Sequence, residues 1–248
     1  MHHVVLERWS QGASVMHRRD PRAKIAALIV FLVALATAHR ALPIFALALL
    51  VLLSAALIWA RLPLFGALAR AAIVLPFTLV FAIVCWLSGD PARGFSLLLK
   101  SYLSALAVLL VVSSTPFPAL LRGLEMTGAP RFLLMVAQFL YRYLFVISEE
   151  AQHMRKAAAS RGATVRNFAA RRSEGWPARF RAAAGALAVL FARSYGRAED
   201  IHRSMLARGF LGRFQPAAPL RFRATDAIFT LFASLAPVLL RAAVERAV

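Results

Sequence analysis

A chain of 248 residues that is 60% hydrophobic and carries a formal net charge of +19 has a mean hydropathy of +0.67. Water-soluble domains of this size rarely combine these values. The apolar residues fall in a few long runs, whereas 18 of the 30 Lys and Arg lie between Pro116 and Thr225, so the composition excludes an ordinary soluble domain and describes a membrane protein with a large basic segment.

Four apolar runs occupy the first half: Ile25 to Ala38, Leu42 to Trp59, Ala71 to Leu87, and Phe95 to Ser113 with Lys100 near one end. A fifth covers Ala227 to Leu240. A helix needs about 20 residues to cross the hydrocarbon core, so the first and last runs must borrow flanking residues or tilt. Basic residues at Arg8, Arg18, Arg19, Arg22 and Lys24 precede the first run, and Arg61 and Arg70 follow the second. The positive-inside rule then places the amino terminus and residues 116–224 in the cytoplasm. The first run is read as a span and not as a cleaved leader, because Glu7 and Asp20 interrupt the preceding basic region and another run follows at once. Cys85 is the only cysteine, so no internal disulfide is available.

Ser114, Thr115, Pro116 and Pro118 end the fourth span, since helices seldom run through two close prolines. "FPALLRGLEMTGAP" predicts a short amphipathic helix closed by Gly128, and Pro130 suits the first turn of a long helix from Arg131 to Arg161. The first half of that helix is apolar and its second half charged. Leu144, Ile147, Ala151, Met154 and Ala158 recur at three-four spacing in it, with Gly162 as the cap. After a loop containing Gly175 and Pro177 the pattern returns as Phe191, Ser194, Ala198, Ile201 and Met205, capped by Gly209.

The two helices end alike: "AQHMRKAAASRG" closes the first and "AEDIHRSMLARG" the second. An Arg before a terminal Gly has a plain explanation, since a cation favours the negative end of the helix dipole and Gly supplies the left-handed turn. Two copies on matched helices suggest more. An Arg fork at an exposed tip is shaped to grip carboxylates or carbonyls on a partner.

With "HRRDPRAK", His17 to Lys24, before the first span and "YRYLFVISEE", Tyr141 to Glu150, including Arg142, in the long helix, the ordered set resembles the transmembrane component of energy-coupling factor transporters. That is the EcfT family, which includes the CbiQ proteins of cobalt and nickel uptake. Ser160 stands where the family's triplet has Ala. The resemblance implies an all-α integral membrane protein of the bacterial cell membrane, with about five transmembrane helices plus long amphipathic cytoplasmic coupling helices. Residues 1–115 would hold the amino-terminal spans, 116–224 the coupling-helix region and 225–248 the last span. It further implies that Ser160, Arg161 and Gly162, with Ala207, Arg208 and Gly209, dock on two ATP-binding-cassette ATPases, whose closure moves a separate substrate-binding membrane protein, the S component. The cargo is expected to be cobalt or nickel, with a vitamin as the alternative.

Other chemistry finds little support. None of Lys24, Lys100 and Lys156 follows a Gly, so there is no G-x-x-x-x-G-K-[ST] phosphate loop. His2, His3, His17, His39, His153 and His202 have no metal-ligand spacing, and no catalytic, metal or cofactor residue is assigned. Arg142 is expected in an interfacial or interhelical contact. Asp20 is expected to cap the first span while Arg22 and Lys24 meet headgroups. The basic segment lacks the aromatic interleaving of a nucleic-acid surface, and anionic lipid suits it better. An intramembrane enzyme would need acid or His partners for Ser54, Thr78, Ser101, Tyr102 or Ser104, and a self-contained permease would need buried charges or broken helices in the spans.

Overall fold

The computed structural model describes residues 9, 10, 12, 14, 16–38, 42–161, 176–210, 212 and 222–247. All regular elements among them are helical: α1 (Pro21–Ala36), α2 (Leu42–Trp59), α3 (Leu64–Ala71), α4 (Leu75–Leu87), α5 (Pro91–Ser113), α6 (Phe117–Met126), α7 (Arg131–Ser160), α8 (Trp176–Ala207) and α9 (Ala224–Ala247). They divide into two compact units, Met1–Pro130 with Pro219–Val248, and Arg131–Ala218. The chain is therefore the all-α membrane protein that its apolar runs predict.

Local sequence explains where the helices of the first unit begin. Asp20 accepts from the Arg22 N–H at 2.9 Å and Asp90 from the Arg93 N–H at 3.3 Å, each ahead of a proline that opens a helix. A 3-10 turn, Ala72–Val74, links α3 and α4 into one run, Leu64–Leu87. Pro76 has no N–H to give the Ala72 carbonyl, and the ladder tightens there.

Helix α5 has 23 residues, about 35 Å of rise against a hydrocarbon core of about 30 Å. By contrast α1 has 16, about 24 Å, short as its run predicts. The last run borrows flanking residues, as its shortness predicts. It lies inside a 24-residue helix, of which Ala224–Val244 is long and apolar enough to cross unaided. Flanking polar residues extend the helix, and Pro237 is accommodated within it because the residue is fully buried against neighbours. Helix α7 also holds an apolar stretch of span length.

Leu49, Leu57, Leu103 and Leu106 fill the core between α2 and α5, with Phe45 and Phe31 beside them. Outside, Phe65 is 87% exposed and Leu87 81%, and Phe77, Phe81 and Trp86 also face outward. Such a surface could not face water, and hydrocarbon is its solvent. Small residues let the spans approach: a Cβ at Gly94 would sit 2.8 Å from the Ala82 carbonyl oxygen of α4. Gly94→Ala should therefore push α4 from α5 and destabilise the unit by about 1–3 kcal/mol, seen as a lower melting temperature in detergent. An unchanged melting temperature would show that the contact relaxes freely.

A buried polar knot fastens the ends of α1, α5 and α9. Lys24 is 1% exposed, and its Nζ donates to the Ser114 carbonyl and to Thr115 Oγ1, both at 2.8 Å. This corrects the expectation that Lys24 meets headgroups: the polar end of α5 packs over it and supplies the partners that water or lipid would otherwise give. Asp226, at the start of α9, accepts from the Arg223 N–H at 3.1 Å and the Asp20 N–H at 3.4 Å, and lies 3.7 Å from Arg19. His17 braces the approach, with Nδ1 2.6 Å from Ser14 Oγ and Nε2 2.8 Å from the Trp9 carbonyl. Asp20 caps α1 as expected, and Arg22 reaches Met126 of α6. The "HRRDPRAK" stretch is thus a folding device at the entry to the first span.

Candidate functional site

The second unit holds the predicted tips. Helix α7 has 30 residues and α8 has 32. Glu150 of α7 pairs with Arg193 of α8, and the helices enclose an apolar groove of about 540 Å³, lined among others by Phe139, Tyr143, Ile147, Ile201 and Met205. Ala151, Met154 and Ala158 are half-buried while their neighbours are exposed, as the stripe predicts. Leu144 and Phe191 leave the stripe, being 47% and 72% exposed. The reason is that each stands in an apolar stretch where several faces carry large side chains, so spacing alone does not fix which face packs. Pro177, expected in a loop, stands in the first turn of α8, where proline needs no donor.

Both helices run well past the Glu150–Arg193 pair. From there Arg161 is about 16 Å further along α7 and Arg208 about 22 Å along α8, at 1.5 Å per residue. At the first tip Ser160 ends the helix and its Oγ donates back to the Ala157 carbonyl at 2.9 Å, so the hydroxyl that replaces the family's methyl is satisfied locally. The Arg161 N–H reaches the same carbonyl at 3.3 Å. Gly162 lies outside the described residues.

At the second tip Ala207 is the last residue of α8, and Arg208 and Gly209 form its turn. Gly209 has φ +74°, a left-handed conformation that costs glycine little. The Phe210 N–H reaches back to the Met205 carbonyl at 3.0 Å, which closes the helix as glycine-capped ends do. Arg161 and Arg208 are exposed, and neither side chain has an ion-pair or hydrogen-bond partner among the described residues. Arg193 and Arg203, on the shaft of the same helix, are paired with Glu150 and Glu199. Arg155, Lys156, Arg181 and Arg197 on the shafts are likewise exposed, so it is their place at the two helix ends that sets Arg161 and Arg208 apart.

Arg142 is exposed, its guanidinium 5.8 Å from the Tyr143 ring centroid, a position at the outer edge of α7. Among the described residues no three His, Cys, Asp or Glu lie close enough together to hold a metal ion, and His2, His3 and His39 lie outside them. Two features escaped sequence reasoning: the Glu150–Arg193 pair and the Lys24 knot. Only the acid in the first turn of α9 and the polar "SST" after the fourth run hinted at the second.

Residues 12–218 match the model of the family described as Cobalt transport protein, CbiQ. The chain belongs to the CbiQ/EcfT family of transporter transmembrane components. The CbiQ-family chain is 30% identical over 238 residues to an energy-coupling factor transporter transmembrane protein EcfT of Bacillus selenitireducens, covering 84% of each chain. It is 28% identical over 236 residues to an EcfT of Acidaminococcus fermentans, again with 84% of each covered. A cobalt transport protein CbiQ of Rhodobacter capsulatus is 28% identical over 125 residues, which are 50% of this chain and 48% of that one.

Proposed function

We propose that this CbiQ/EcfT chain is the energy-coupling subunit of an importer, with α7 and α8 as its coupling helices. The observation that carries the proposal is the pair of exposed arginines, without a partner among the described residues, at the ends of two matched helices. Each tip, Ser160-Arg161-Gly162 and Ala207-Arg208-Gly209, docks on one of two ATP-binding-cassette ATPases. A guanidinium fork at a helix end offers bidentate bonds to acidic or carbonyl groups in a groove. Closure of the ATPase pair then moves the helices, and their apolar groove transmits that motion to a separate substrate-binding membrane protein.

In this account the amino terminus and the Arg-rich tips of α7 and α8 lie in the cytoplasm, which the density of Arg in residues 116–224 supports, whereas the apolar stretch of α7 is long enough to enter the membrane. Cobalt or nickel is the proposed cargo, supported by the description of the matched family and by the relative from Rhodobacter capsulatus. The two relatives carrying the EcfT name support the coupling role without specifying a cargo.

The chain reconstituted alone should hydrolyse no ATP and move no cobalt, because ATP chemistry and cargo recognition reside in its partners. Adding the two ATPases and the substrate-binding protein should give ATP-dependent uptake into vesicles. ATP turnover by the chain free of ATPases, or uptake that is indifferent to them, would remove the coupling role.

A further inference from the structure

The first unit contains a second cavity, an open cleft of about 610 Å³ bordered by α1, α2, α5 and α9. Its walls are apolar, formed by residues such as Ala27, Phe31, Leu53, Ala107, Phe229 and Ala236. One end is different. There Arg19, Lys24 and Thr225 line it, with Trp59 at the end of α2. The starts of α1 and α9 and the ends of α2 and α5 meet at that end, which therefore marks one face of the membrane.

The dimensions restrict what fits. Thr225 to Ala236 covers about 16 Å of α9, close to half of a hydrocarbon core about 30 Å thick. The slot is one leaflet deep. A helix with its side chains is about 10 Å across, so a piece of that length, roughly 1,250 Å³, would stand well out of the cleft. A flexible apolar chain suits the volume better, which falls within the about 300–1,000 Å³ of small-ligand sites.

The charged end selects among such chains. Among the described residues Arg19 Nε is buried without a hydrogen-bond partner, while its terminal nitrogen lies 3.7 Å from Asp226. An orphaned donor on a charged group is costly unless a ligand satisfies it. Two donor bonds of Lys24 are already spent on Ser114 and Thr115, yet its charge remains at the mouth. Arg18 and Arg223 are exposed nearby in the chain. Among the described residues Asp20 and Asp226 are the carboxylates of this knot, so its cations outnumber its anions.

We infer that the slot binds one anionic phospholipid, with an acyl chain between α1, α2, α5 and α9 and its phosphate on Arg19. Basic pockets between spans hold anionic headgroups by this combination of charge and apolar depth. The bound lipid would brace α9 against the first two spans on the side where Lys24 already pins them.

Trp59, in the mouth and also exposed to the surrounding lipid, reports occupancy through the difference between two quenchers. The full chain with Trp9, Trp86 and Trp176 replaced by Phe is placed in phosphatidylcholine bilayers. These contain a minor fraction of brominated phosphatidylglycerol or, at the same fraction, brominated phosphatidylcholine. The anionic quencher should dim Trp59 more strongly, and Arg19→Gln should cut the preference about fivefold, the equivalent of the about 1 kcal/mol that one Arg contributes beside anionic lipid. Arg93→Gln, at the opposite end of α5, should leave it unchanged. Ala233→Phe fills the slot without touching a charge and should reduce quenching by both lipids, which keeps the test open where Arg19→Gln fails to insert. Equal quenching by the two lipids in the parent, a preference that survives Arg19→Gln, or quenching indifferent to Ala233→Phe would each overturn the site.

Discussion

Arg161→Glu combined with Arg208→Glu should leave the chain in the membrane and strip it of both ATPases. If the tips dock as proposed, each substitution turns an attractive contact at a desolvated interface into a repulsive one, and removing one partner from such a pair costs about 2–5 kcal/mol. The two tips share no partner, so their losses should add. Either single variant should retain partial recruitment and the double variant none. Plain helix capping makes a different forecast. Reversing a cation beside a helix carboxy terminus costs about 0.3–1 kcal/mol of local stability and would leave recruitment nearly intact. Co-purification of the ATPases with the single and double variants, alongside uptake, separates the two. Full recruitment by the double variant would reduce the repeated Arg-Gly to a pair of ordinary caps.

The second large effect belongs to Lys24. Lys24→Met keeps the length of the side chain but orphans the Ser114 carbonyl and Thr115 Oγ1, each a buried acceptor worth about 1–3 kcal/mol when left unpaired. Some of that loss is offset by the apolar thioether, and a net cost of about 2–4 kcal/mol is expected. The measured sign is a lower melting temperature for the purified chain and faster proteolysis between α5 and α6. Adding Thr115→Val should restore part of the loss, since it removes one of the orphaned groups. Exposed Arg93, paired with Asp90 at 3.1 Å, serves as the comparison, because breaking a surface pair costs at most about 1 kcal/mol. A Lys24→Met chain as stable as the parent would mean that the knot is dispensable.

The difference between these two sites explains what was legible in the sequence. Both tips are local features: Gly209 caps α8 through bonds to residues of its own last turn, so the four or five letters around Arg208 contain the whole cause. The same holds for Asp20 and for the prolines that open α1 and α5. The Lys24 knot joins residues 90 and 91 positions apart, and no periodicity in either segment signals the other. A lysine beside a span therefore read as a headgroup anchor. Helix faces were legible where the apolar stripe is narrow, as at Ala151, Met154 and Ala158. They were misread at Leu144 and Phe191, where the helices are apolar on several sides and only packing decides the rotation. The extent of α9 was legible because polar residues such as Arg241 end an apolar run without ending a helix.

Photo-crosslinking from the tips tests the central claim most directly. The photoreactive residue p-benzoylphenylalanine, placed at Ser160 or at Ala207, leaves Arg161 and Arg208 intact and reports whatever lies within reach of each helix end. In the assembled transporter both positions should give adducts with the ATPase subunits, and the yield should change with nucleotide as the ATPase pair closes. Gln152, exposed on the shaft of α7, should give far less. Adducts confined to lipid or to the substrate-binding protein from both tips, in a complex that still hydrolyses ATP, would contradict the assignment of Arg161 and Arg208 as the docking points.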